Sequence, residues 1–162
     1  MRRYVVAVAG VVAAAGLLSG CGAQTLPLAA VRLDGAGAPE VVLRPCGDDL
    51  IQGLSLAGAP DEEESGELLS GWKVPGKRRG ADAEFPLFSP PAAWHARMVG
   101  AQRVVPAYTY ELAFGKAEFN YEYTGTVTFR ASDLAALEPG QVWADGRVMG
   151  LGEFEELAED SC

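Results

Sequence analysis

One histidine, His95, stands in 162 residues. A single imidazole cannot build a multi-histidine zinc site. The sequence also lacks a Gly-x-Ser-x-Gly elbow, a P-loop, and a Gly-x-Gly-x-x-Gly turn after a strand. Three cysteines are present, none in Cys-x-x-Cys spacing, so a redox or zinc pair of that type is excluded. Positive charge is scarce. Thirteen Lys and Arg face 22 Asp and Glu, for a net charge of −9. A chain this acidic is a poor partner for nucleic acid. No cofactor and no metal are implied. A hydrolase built on two carboxylates stays open as an alternative, because such pairs meet in space and not in sequence.

Long apolar runs are equally scarce. The one that exists lies at the start, from Val5 to Leu18, behind Arg2 and Arg3. It falls short of the roughly 20 residues needed to cross a bilayer, and it has the parts of a secretory signal: charged start, apolar middle, small-residue exit. The exit, Leu18-Ser19-Gly20-Cys21, resembles the lipobox of bacterial lipoproteins. In that family the chain is cut before the cysteine and the cysteine carries the lipid. The resemblance implies a signal over 1–20, lipid on Cys21, and anchoring to the extracytoplasmic face of the cell membrane. Loss of residues 1–20 removes two arginines and no acid, so −9 becomes −11. The six residues from Gly22 to Pro27 then read as a short tether, with a single domain over 28–162.

With Cys21 assigned to lipid, Cys46 and Cys162 remain. In an oxidising compartment an even count favours pairing. Their bridge would close a loop whose chain-entropy value is about 4–5 kcal/mol.

The mature part is rich in strand signals and poor in helix signals. Strand-like runs cover 28–34, 40–44, 50–57, 68–74 and 84–88, separated by turn-prone stretches. The strongest signal is Tyr108–Arg130. Tyr108, Tyr110, Leu112 and Phe114 alternate with Thr109, Glu111 and Ala113, and Phe119, Tyr121, Tyr123, Val127 and Phe129 alternate with polar residues. Period two of this length means two half-buried strands. A two-residue loop at Gly115-Lys116 predicts pairing of Leu112 with Phe119, Tyr110 with Tyr121 and Tyr108 with Tyr123. Ser132 is positioned to cap one helical turn through Leu137, and Glu153–Glu159 predicts a second short helix.

The stretch Leu134-x-x-Leu137-x-Pro139-Gly140-x-x-Trp143 resembles the link between two strands of fibronectin-III-like and immunoglobulin-like domains, with Trp143 where that pattern carries tyrosine. The resemblance, with the strand pattern, implies an all-β immunoglobulin-like sandwich of about seven to nine strands with one or two short helical turns. The segments 86–96 (PLFSPPAAWHA) and 139–146 (PGQVWADG) also resemble small lipoproteins of high-GC actinobacteria, a family from which no activity carries over.

Among candidate binding features, Asp61–Glu67 and Asp48-Asp49 lack the alternating spacing of a calcium loop and read as solvated. Lys77-Arg78-Arg79 reads as a solvated basic turn. Trp72 and Trp143 read as core. Trp94, beside Pro90-Pro91 and His95, is the loop aromatic placed to stack on a sugar or small ligand. The chain is therefore expected to be a membrane-anchored, non-catalytic interaction module whose partners are the membrane and an envelope protein or cell-wall polymer. A carbohydrate-binding domain is the further alternative.

Overall fold

The computed structural model describes residues 23–61, 69–116 and 122–162. These form two β-sheets, of seven and five strands, with a helix on the outside of the smaller one. The expectation of an all-β sandwich is met. Twelve strands exceed the expected seven to nine because several short ones line the rims.

The larger sheet contains β1 (Gln24–Leu26), β4 (Leu50–Pro60), β5 (Ser70–Lys73), β6 (Lys77–Arg79), β8 (Arg97–Gly100), β9 (Tyr108–Lys116) and β10 (Tyr123–Arg130). Its order is β1-β10-β9-β4-β5-β8, with β6 also on β4. The smaller sheet contains β2 (Ala29–Leu33), β3 (Pro39–Leu43), β7 (Ala83–Pro86), β11 (Gln141–Ala144) and β12 (Arg147–Gly150), in the order β12-β11-β2-β3-β7. Taking β2, β3, β4, β5, β7, β9 and β10 as the body strands, β10-β9-β4-β5 faces β2-β3-β7. This is the G-F-C-C′ over A-B-E order of an immunoglobulin-type sandwich, without strand D.

The inner faces follow from the two-residue period. Val31, Val41 and Phe85 lie in register on the smaller sheet. Leu56, Trp72, Tyr110, Leu112, Phe114, Val127 and Phe129 oppose them from the larger sheet, all buried. Trp72 is fully covered, and its indole N–H donates to the Leu87 carbonyl at 2.7 Å.

The hairpin of β9 and β10 exists, and its aromatic face is core, but its predicted register is wrong. Leu112 pairs with Val127, eight residues beyond Phe119, and Tyr110 pairs with Phe129. Phe119, Asn120 and Tyr121 lie outside the described residues. Gly115 and Lys116 do not turn. They continue the strand because β4 pairs with them on the other side, through Gln52 and Ile51. Gly125 faces Phe114, and a Cβ there would come within 2.6 Å of the ring. Glycine at this point makes room for the aromatic.

Three other expectations change. Lys77–Arg79 is strand β6, paired with Leu50–Gln52, because β4 starts beyond the end of β5 and its edge there needs a partner. The first helix, α1 (Ala131–Ala135), is capped from Arg130 rather than Ser132; the Asp133 carboxylate accepts the Arg130 backbone N–H at 2.8 Å. Residues 24–26 are not tether but strand β1, parallel to β10.

Helix α2 (Leu151–Ser161) extends the predicted 153–159 at both ends and packs on β11 and β12. It buries Phe154 and Ala158. Val142, Ala30 and Val42, on the outer face of the smaller sheet, are also buried. Trp143 points the other way, half-buried, and its indole N–H donates to Thr128 at 2.8 Å across the sandwich. The Leu134–Trp143 stretch thus carries the chain from β10 of the larger sheet to β11 of the smaller one, outside the seven body strands.

Candidate functional site

Three of the residues singled out from sequence bear on the site. Cys21, the expected lipid carrier, lies outside the described residues. The described chain enters at Ala23 and joins the sheet at once: the Gln24 N–H donates to the Glu122 carbonyl at 3.3 Å, and Gln24 pairs with Tyr123. Cys46 and Cys162 are disulfide-bonded across 116 positions. The bridge ties the end of α2 to the loop after β3. The Cys46 N–H donates in turn to the Tyr123 hydroxyl at 3.3 Å, one strand from β1. Burial, before any other influence, pushes the Tyr123 phenol above its ordinary range.

Trp94 does not stand free on the surface. It sits in a short 3-10 turn (Ala92–Trp94), half-buried, its ring edge-on to Phe85 at 5.1 Å. Phe85 in turn packs on Trp72 at 5.9 Å. The row lines one margin of the sandwich, with Trp94 edge-on to Phe85. His95, exposed, closes the turn in the left-handed conformation at φ 51°.

An open cleft of about 460 Å³ lies beside the disulfide. Arg44, Asp82, Glu155, Glu159 and Cys162 line it. Arg44 follows β3 and is mostly covered. Its guanidinium meets Glu84 at 2.7 Å, Glu155 at 2.8 Å and Asp82 at 3.8 Å. Burial works against the Arg44 charge, but the hydrogen bonds to Glu84 and Glu155 and the nearby Asp82 outweigh it. Glu84 also bonds Arg32 at 2.7 Å, and Arg32 bonds Glu40. The Arg44 hydrogen bond, with the charge of Arg32, holds Glu84 below the ordinary carboxylate range. A general acid has to keep its proton near neutral pH, so Glu84 is unsuited to that role. The cluster is a latch: it fastens α2 and β7 to the end of β3.

The chain contains one Ser-x-x-Lys spacing, Ser70–Lys73. On a strand, positions three apart point to opposite faces. Ser70 is buried and donates to the Ala101 carbonyl at 2.6 Å, whereas Lys73 is exposed, so the two do not form a nucleophile and base. No group of three or more His, Cys, Asp or Glu placed to hold a metal occurs among the described residues.

Sequence reasoning missed one structural centre. Tyr110, fully buried near the start of β9, accepts the Val105 N–H at 2.9 Å and donates to the Arg103 carbonyl at 3.1 Å. Its hydroxyl lies 3.4 Å from Ser70 Oγ. A tyrosine fastening the loop just upstream of this strand is the tyrosine corner of sandwich domains. A tyrosine at the start of the longest alternating run was the available signal. Comparison of the chain with protein-family models, with curated proteins and with solved structures finds no match.

Proposed function

We propose that this protein is a lipid-anchored, extracytoplasmic module of the bacterial cell envelope, non-catalytic, that holds a small sandwich domain at the membrane as an interaction platform. The observation that carries the reading is Leu18-Ser19-Gly20-Cys21 behind a charged start and an apolar run. A disulfide between the two remaining cysteines supports it, since such bridges persist in oxidising compartments. The ion-paired state of Glu84 favours a structural role for the carboxylates around Arg44 over acid–base chemistry.

The test is Cys21→Ala in cells, read by membrane fractionation and by incorporation of an alkyne fatty acid. The native chain is expected in the membrane fraction, labelled and shortened by its signal. The variant is expected to be unlabelled, and either unprocessed or released. Unchanged labelling and fractionation of the variant would refute the anchor.

A further inference from the structure

The way the chain enters the fold sets how the domain stands on a membrane. If Cys21 carries the lipid, only Gly22 and Ala23 separate it from Gln24, which is already bonded into the sheet. Three Cα steps, fully extended, reach about 10 Å. A flexible linker of many residues would let a domain tumble at any orientation. This one is too short for that.

The strand register identifies which end is held down. Gln24 pairs with Tyr123, the first residue of β10. Lys116, the last residue of β9, pairs with Ile51 of β4, and Leu50, the first residue of β4, pairs with Arg79 of β6. All lie at one end of the larger sheet. Leu50 is one of two large apolar side chains exposed among the described residues, at 37%. Lys77 of β6 is exposed nearby. Lys116 is ion-paired with Glu122 at 2.7 Å and Asp49 at 3.4 Å, so this end carries both signs of charge.

The opposite end lies a strand's length away. β4 runs eleven residues to Pro60, which places Asp61 about 30 Å from Leu50. There Asp61 is held by Thr109 and Arg130. In physiological salt the Debye length is about 8 Å, so charges three or more lengths away barely feel an anionic surface.

Resting on the lipid-anchor reading, we infer that the end bearing Gln24, Leu50, Lys77 and Lys116 is a membrane-apposed surface. Its partner is the headgroup layer of the bilayer, on which the domain stands with the strands of the larger sheet upright. The end bearing Asp61 faces outward, and the exposed flank of the sheet is presented side-on to partners.

Two variants of the full lipidated chain that each add one free cysteine, Leu50→Cys and Ala136→Cys, test this after labelling with a small fluorophore. Ala136 is exposed and lies beyond the far end of β10, after α1. The proteins are reconstituted in vesicles of phosphatidylglycerol and phosphatidylethanolamine that contain a headgroup-level spin label. The fluorophore at 50 is expected to be quenched several-fold more than that at 136. A twenty-residue Gly/Ser insertion between Ala23 and Gln24 is expected to abolish the difference while the protein still floats with the vesicles. Equal quenching at both sites in floating protein of native spacing would overturn the orientation and leave the anchor intact. Protein that fails to label with fatty acid and fails to float would overturn the anchor reading, and the orientation with it.

Discussion

Tyr110→Phe removes one oxygen and nothing else, yet it should cost more than its size suggests. The ring is fully buried, stacked on Phe129 at 5.5 Å, and phenylalanine fills the same space. What is lost is the acceptor of the Val105 N–H and the donor to the Arg103 carbonyl. Stranding a buried polar group costs about 1–3 kcal/mol. Two backbone groups are affected, though the loop can open to admit water, so the expected loss is about 1.5–3 kcal/mol. For a domain of this size each kcal/mol moves Tm by about 3–4 °C, which gives a fall of about 5–12 °C. The assay is thermal and urea unfolding of the soluble chain from Ala23 onward. Tyr108→Phe, at the half-exposed neighbour, is expected to stay within about 0.5 kcal/mol of the parent. Adding Ser70→Ala to Tyr110→Phe should cost less than the sum of the two single changes, because Ser70 shares the network. A Tyr110→Phe protein as stable as the Tyr108→Phe protein would refute the idea that this hydroxyl fastens the loop.

Gly125→Ala should destabilise by about 1–3 kcal/mol in urea unfolding, since its Cβ would meet the Phe114 ring at 2.6 Å. Replacing both Cys46 and Cys162 with alanine should lower stability by up to about 4–5 kcal/mol, read from the denaturation midpoint. Glu84 is depressed, so its contribution is present above the unfolded carboxylate pKa and fades as pH falls through the lower folded value. Glu84→Gln should therefore flatten the acid limb of a stability–pH curve. Tyr123 is raised, so its contribution is intact below the unfolded phenol pKa and fades as pH rises through the higher folded value. Tyr123→Phe should lessen the alkaline loss of stability.

What could be read from the sequence follows the physics of each signal. Alternation shows which side chains face the core, and the buried row Tyr110, Leu112, Phe114 on β9 and Val127, Phe129 on β10 is where it puts them. It does not set register, because sliding a strand by an even number of residues keeps every face. The pairing of Leu112 with Val127 instead of Phe119 is a slide of that kind, decided by β4 on the other flank. A turn signal with better chemistry was present in Asp145-Gly146, where both residues adopt positive φ and join β11 to β12. Strands β1 and β6 were hidden because three-residue rim strands are recruited by a neighbour's open edge and carry little pattern of their own. The disulfide was readable from count and context. The Arg44 cluster was not, since its partners come from positions 82, 84 and 155, which only the fold brings together.

Strand β1 also matters for anyone who trims this protein. Residues 24–26 occupy the outer edge of β10 with a parallel ladder and bury Leu26. A version begun at Leu28, where the alternating pattern first becomes evident, would leave the backbone groups of Tyr123–Gly125 open along that margin. An uncovered edge is a template for another chain. Such a version would tend to pair with itself at high concentration, so self-association seen with it would reflect where the cut was made rather than how the intact protein behaves.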